Sequence, residues 1–396
     1  MQPSMTPKRF LKLCAKPNGA SDVADALGAS PGLLHAADGT GNTGLHRAAA
    51  AGCVETAVLL ADRGLAVDVR NTKGKVPMHE AALFGHVGVC EALVLRGSAA
   101  VRWAVGHSSE QWTPLMYAAS RGHCATIAFL IDAGAAWADR NSAGCSSLYL
   151  ACRANAVDAC VLLLDAGADV NQATNTGRSP LHTAAEGNRR DLARLLVERG
   201  AVVNHADGSG TTVSHLCAEA GFAGMAQDLL EAGMDVARKN AVGRTCLHLA
   251  CYNGHAAFVR SVLGDGGGGA GGAGGGGGKG GDTVGGGATV GGATVGGATV
   301  GCATVGGGTV DVDGKDERGC TALYLASSQG NLEECALLLD YGAKQLSSAK
   351  RHPLHCAAGW NHPAVVRLLL ERGASVDVKD DKGATPLECA KNHNGA

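Results

Sequence analysis

The sequence predicts an all-α solenoid of about ten helix–turn–helix repeats, joined by short hairpin-like fingers. Three observations carry that prediction. A leucine position recurs at a fixed step: Leu45, Met78, Leu115, Leu148, Leu181, Ser214, Leu247, Leu323, Leu354 and Leu387. Most steps are 33 residues; the others are 37 after Met78, 76 after Leu247 and 31 after Leu323. Seven residues beyond each position stands Gly or Asn, the residues that best tolerate the left-handed backbone ending a helix. Finally, one unit, NTGRSPLHTAAEGNRRDLARLLVERGAVVNHAD at 175–207, holds two amphipathic helices too small to bury their own apolar faces, so it must stack on neighbours.

Within a unit each letter has a physical reason. Ser or Thr caps the first helix, and Pro at the first helical position sets φ where the N–H has no helical partner. The leucine points inward, and small residues after the following histidine let neighbouring helices approach. The N-terminal text keeps the frame: Gly19 lies 33 residues before Gly52, and Ala15 33 before Ala48. Residues 8–16 and 21–27 therefore read as two helices of a degenerate first repeat. Its Lys8, Arg9, Lys12 and Lys16 suit a cap facing water.

These letters resemble the ankyrin-repeat family. Its TPLHxAA…G…LLLxxGADVN pattern is matched by TGLHRAA at Thr43, SPLHTAA at Ser179, TCLHLAC at Thr245 and TPLECA at Thr385. The second half is matched by LLLDAGADVNQ from Leu162 and LLLERGASVDV from Leu368. The resemblance covers nearly the whole chain outside one insert. It implies an ankyrin-repeat solenoid that binds proteins through its concave face and finger tips.

Domain organisation follows the breaks in the step. Residues 1–37 form the degenerate capping repeat, 38–263 hold repeats one to seven, 264–312 are a glycine-rich insert, and 313–396 hold repeats eight to ten, the last partial. The insert carries 25 of the 60 glycines between 264 and 308, with GGATV three times and then GCATV. Such text cannot bury enough to offset its ordering entropy and reads as a flexible loop. No GxxxxGK[ST] phosphate motif occurs in it. Lengthening a connection from ~6 to ~49 residues costs about 2 kcal/mol. Two or three leucine-sized side chains across the junction contribute roughly 1.5–3 kcal/mol each, so the stack is expected to continue past the insert.

Composition narrows the function. A net charge of −2 gives no electrostatic case for nucleic acid, and aromatic residues at 4% give little material for a stacking groove. The fifteen cysteines form no CxxC pair, and several occupy small-residue positions, as Cys217, Cys246 and Cys356 do. They read as small buried hydrophobes in a reducing compartment. The opening text lacks the apolar core of a signal peptide, and no run approaches the ~18 apolar residues of a membrane span. The expectation is a cytoplasmic monomer, with the nucleus also open to it, and no direct membrane insertion.

No catalytic constellation emerges. Of fifteen histidines, His46, His79, His182, His215, His248 and His355 follow the leucine position directly, and His86, His123, His255 and His362 follow the Gly/Asn turn. They recur because the repeat recurs. Cys145, Cys152 and Cys160 with His123 are the nearest metal candidates, but they fall at different levels of the repeat. The reading is therefore not an enzyme, with no cofactor, no metal and no catalytic residue.

What remains is surface. Positions two, five and six after the leucine supply Arg47, Glu80, Phe84, Tyr117, Arg121, Arg153, Glu186, Glu219, Tyr252 and Trp360 as candidate protein-binding residues. The longer finger after repeat two adds Trp103 and Trp112, with Trp137 following one repeat later. The resemblance also marks Asn171 and Asn204, in GADVN and GAVVN, for hydroxylation by an iron- and oxoglutarate-dependent enzyme. The function expected is a non-catalytic scaffold or adaptor for one or more proteins. The alternatives are the substrate-recognition subunit of a ubiquitin ligase, or the regulatory part of a larger channel, kinase or acyltransferase.

Overall fold

The computed structural model describes residues 5–97, 111–264, 302–305, 308–345 and 352–393. Helices succeed one another in short pairs. The first are α1 (Pro7–Cys14) and α2 (Ala20–Ala29), α3 (Gly44–Ala51) and α4 (Val54–Asp62), and α5 (Pro77–Phe84) and α6 (Val87–Arg96). Next come α7 (Pro114–Arg121) and α8 (Cys124–Asp132), α9 (Ser147–Arg153) and α10 (Val157–Asp165), and α11 (Pro180–Glu186) and α12 (Arg190–Glu198). They continue as α13 (Val213–Ala220) and α14 (Ala223–Glu231), α15 (Cys246–Asn253) and α16 (Ala256–Leu263), and α17 (Ala322–Gln329) and α18 (Leu332–Asp340). The last are α19 (Pro353–Gly359), α20 (Pro363–Glu371) and α21 (Pro386–His393).

The chain divides into two compact units, Met1–Ala184 with Asp191–Ala201, and Ala185–Arg190 with Val202–Ala396. In the first unit α1, α3, α5, α7 and α9 pack each on the next, and α2, α4, α6, α8 and α10 form a second row. The second unit has the same plan, with α13, α15, α17, α19 and α21 in one row and α14, α16, α18 and α20 in the other. The recurring leucines lie between the rows and are fully buried at Leu45, Leu115, Leu148 and Leu323. Leu387 of α21 is 64% exposed.

Helix ends follow the sequence reading. Gly52, Gly85, Gly122, Gly221, Gly254 and Gly330 all adopt positive φ, and so do Asn155, Asn188 and Asn361 at the equivalent sites. Asn394 lies outside the described residues. At Gly85, φ is +76°, and a Cβ would come 2.7 Å from the Nδ1 atom of His123, so glycine is required there twice over.

The fingers are hydrogen-bonded turns rather than strand pairs, with an isolated bridge between Ala37 and Thr43. The turn-forming Asn71 accepts the backbone N–H groups of Lys73 and Lys75 on its Oδ1 at 2.9 Å each. Finger also bonds to finger, as in Thr72 N to Thr40 O at 3.0 Å and Asn175 N to Ala143 O at 3.0 Å.

Two elements were not expected. A 3₁₀ turn at Pro31–His35 follows α2. At the end of the glycine-rich stretch, β1 (Cys302–Val305) pairs antiparallel with β2 (Gly308–Asp311), Cys302 opposite Asp311 and Val305 opposite Gly308. The alternating β-branched text CATV and GTVD supplies strand propensity that glycine content alone conceals. Within the second unit α17 packs on α15 across the interruption. The Asn331 Nδ2 donates to Cys251 O at 2.9 Å, and Arg244 pairs with the buried Asp316 at 3.3 Å.

Candidate protein-interaction face

The first helix of each repeat is held by its own histidine. In α3 the Nδ1 of His46 accepts the Thr43 N–H at 3.3 Å, so its Nε2 carries the proton and donates to Lys75 O of the next finger at 2.9 Å. His79 repeats this with Val76 N at 3.0 Å and Trp112 O at 3.0 Å. His215 reaches Arg244 O, His248 reaches Gly314 O, and His355 reaches Ala384 O. A second series points the other way: His86 donates to Ala50 O, His123 to Leu83 O, His255 to Glu219 O and His362 to Ser328 O. These nine histidines therefore bind backbone, and among the described residues no group of His, Cys, Asp and Glu is placed to hold a metal ion. Cys152 and Cys160 approach to 3.6 Å between sulfurs inside the first unit, both buried.

With the histidines turned inward, the outward positions are left to the predicted surface residues. Arg47 is exposed and ion-paired with Asp38. Glu80 is half-buried and pairs with Lys75 at 3.5 Å. Phe84 is 51% exposed and lies parallel to the His86 ring. Trp112 is half-buried against Met116, Cys145, Tyr149 and Leu150, and its ring sits 4.9 Å from Tyr117. Tyr117 takes the Lys75 ammonium on its face at 4.4 Å and the His79 ring at its edge. Arg121 and Arg153 are exposed at the ends of α7 and α9.

In the second unit Glu186 and Glu219 are exposed. Tyr252 is 40% exposed with the Arg244 guanidinium 5.6 Å from its ring, and Trp360 is 58% exposed after α19. Trp103 lies outside the described residues. Asn171 and Asn204 are both engaged in turns: the Asn171 Nδ2 donates to Gly200 O at 3.1 Å, and the Asn204 Nδ2 to Gly233 O at 2.9 Å. The Oδ1 of Asn204 also accepts the Asp235 N–H at 2.7 Å.

The structure thus brings Glu80, Trp112 and Tyr117 into one cluster with Lys75, which sequence reasoning had passed over, and sets Arg121 and Arg153 at its border. The available signal was at the position after the leucine. Six repeats carry histidine there, whereas Met116, Tyr149, Tyr324 and Glu388 stand in the other four; in the first unit Trp112 and Cys145 fill in beside Met116 and Tyr149.

Residues 11–102, 95–174, 115–207, 163–240 and 302–380 match the family model described as ankyrin repeats in three copies, and 242–268 match the single ankyrin repeat. The chain belongs to the ankyrin-repeat family. An ankyrin-repeat array is a protein-interaction module, and the histidine-braced helix pairs described above are its frame. Among curated proteins this ankyrin-repeat chain is 38% identical over 85 residues to the E3 ubiquitin-protein ligase hecd-1 of Caenorhabditis elegans. That match covers 22% of this chain and 3% of the ligase. It is 30% identical over 92 residues to the probable 26S proteasome regulatory subunit p28 of Saccharomyces cerevisiae, covering 23% of this chain and 39% of p28. Among solved structures the ankyrin-repeat domain of Bcl-3 aligns with a TM-score of 0.47 and 27% identity, over 52% of this chain and 93% of that one. The chain therefore spans only a part of the curated relatives' length. Among the described residues no helix is long and apolar enough to cross a membrane.

Proposed function

We propose that this chain is a non-catalytic scaffold or adaptor that binds partner proteins on the outward positions of its first helices and on its fingers. The observation that carries the reading is the exposure of large aromatic side chains five or six residues after the recurring buried position. Phe84, Tyr252 and Trp360 are 51%, 40% and 58% exposed while Met78, Leu247 and Leu354 before them are buried. Aromatic and arginine side chains concentrate binding energy at interfaces, and leaving them in water costs the free chain. The monomeric state, the cytoplasmic or nuclear location and the partition into 1–37, 38–263, 264–312 and 313–396 belong to the same proposal. So does hydroxylation of Asn171 and Asn204, whose side-chain amides would need to leave their carbonyl partners to be reached.

The test is site-specific photocrosslinking from Phe84 and Trp360 in cell extract, beside the same crosslinker at Leu95 of α6. Leu95 is 81% exposed on the second row. Partner capture from Phe84 or Trp360 and not from Leu95 supports the assignment of the face; capture from Leu95 alone overturns it.

A second reading is favoured by names among the relatives, two of them ubiquitin ligases and one a proteasome subunit. On that reading the array selects substrates for ubiquitin transfer. Co-purification of ubiquitin ligase activity with the captured chain supports it, and a captured complex without such activity counts against it.

A further inference from the structure

The face formed by α7 and α9 carries exposed arginines without a carboxylate partner among the described residues, whereas charged side chains on the neighbouring first helices α3 and α5 are paired. On α3 and α5, Arg47 is tied to Asp38, and Glu80 to Lys75. Arg121 and Arg153 are exposed, and neither forms an ion pair among the described residues. Arg140, in the finger leading to α9, is held by neutral oxygens alone: Gly144 O at 3.0 Å, Ala173 O at 2.8 Å and Asn175 Oδ1 at 3.3 Å. These contacts orient the guanidinium without neutralising it. The finger's own carboxylate, Asp139, lines a separate hollow with Thr113, Leu115 and Leu130.

The local field has an internal witness. Burial raises the pKa of Tyr149 and of Cys145, and the guanidinium groups of Arg178 and Arg153 oppose it at Tyr149, as those of Arg153 and Arg140 do at Cys145. This patch sits in a chain whose net charge is −2, so it is a local feature rather than a consequence of composition. Beside it the half-buried Trp112 ring lies on Tyr117, one helical turn before Arg121.

We propose that the α7–α9 face binds an extended acidic segment of a partner protein, with carboxylates about three residues apart received by Arg121 and Arg153, and an apolar side chain resting on Trp112. The spacing follows from geometry. Packed helices lie roughly 8–10 Å apart, and a chain extended as polyproline II rises about 3.1 Å per residue with three residues per turn, so one repeat step equals about three residues and returns the side chain to the same face. This inference rests on the scaffold reading and adds the chemistry of the ligand.

The experiment uses the full chain and fluorescence anisotropy. The probe is a labelled peptide with glutamate at every third position and leucine and serine between, beside its lysine counterpart and a version with the same residues but adjacent glutamates. The expected result is binding of the spaced acidic peptide alone, weakened about tenfold in the Arg121→Ala, Arg153→Ala double variant. Arg63→Ala, an exposed arginine after α4, should change affinity less than about twofold. Arg121→Glu with Arg153→Glu should transfer preference to the lysine peptide. Equal affinity for all three peptides, or indifference to both double variants, overturns the proposal. Partner crosslinks from Phe84 or Trp360 alongside that failure would leave the scaffold reading intact.

Discussion

At Ser147 a buried hydroxyl is left without a hydrogen-bond partner among the described residues, at the first position of a helix. The first helical position is proline in α5, α7, α11, α19 and α21 and apolar or glycine in α3, α13, α15 and α17, but α9 places the fully buried Ser147 there. The preceding Ser146 is extended, with φ −85° and ψ 168°, which is the conformation a following proline demands. The first N–H of a helix has no helical acceptor to lose. Ser147→Pro should therefore raise stability by about 1 kcal/mol, by removing an unsatisfied hydroxyl and stiffening the unfolded chain. A shift of the urea midpoint at unchanged slope checks it; a lower midpoint would mean that the hydroxyl is bonded in solution.

Between elements, the histidines link stability to pH. Neutral imidazole uses both nitrogens, Nδ1 as acceptor and Nε2 as donor, whereas a proton on Nδ1 would face the capping N–H with a second donor. Burial lowers the pKa of His46, His215 and His248, and lowers that of His79 to about 4. A folded-state pKa below the unfolded value of about 6.5 means that the unfolded chain binds protons first as pH falls. Stability is then fully present above about pH 6.5 and is lost progressively toward pH 4, His79 alone accounting for on the order of 3 kcal/mol. His79→Gln should lower stability at pH 7 and flatten the dependence between pH 6.5 and 4, as read from urea titrations at stepped pH. An unchanged slope would place the proton uptake elsewhere.

Much at this scale was legible in the letters. Asn155, Asn188 and Asn361 announced positive φ because few residues tolerate it, and the histidines announced a structural role because they kept the repeat's period. The Lys75–Tyr117 contact was not legible, since it joins a finger to the helix of the following repeat and depends on how far each finger leans. The β1–β2 pair escaped for a different reason: four-residue strands in glycine-rich text carry too little periodicity to separate from loop.

On the scale of the molecule, the insert tests how repeats cohere across an interruption. In the second unit α15 and α17 are joined by His248 with Gly314 O and Cys320 O, by Arg244 with Asp316, and by Asn331 with Cys251 O. None of these groups lies between 265 and 301. Deleting that stretch, so that the connection shrinks from ~49 to ~12 residues, should stabilise the fold by about 1 kcal/mol through loop-closure entropy. Calorimetry of the shortened chain checks this, and a lower melting temperature would show that the insert supplies packing. The large aromatic positions were visible from sequence on this scale too, but their weights were not, because exposure depends on neighbours: Trp112 is half covered while Trp360 stands 58% open.

The replacement of two histidines by Met116 and Tyr149 has a mechanical consequence. A hydrogen bond from imidazole to the next finger resists twisting, because it weakens as its donor angle departs from straight. The Met116 thioether and the Tyr149 ring that stand in its place make contacts that slide at little cost. Compliance in the first unit therefore gathers at α7 and α9, beneath Arg121 and Arg153. A ligand held by both arginines would act as a splint, and its affinity would include the entropy lost by the joint it stiffens.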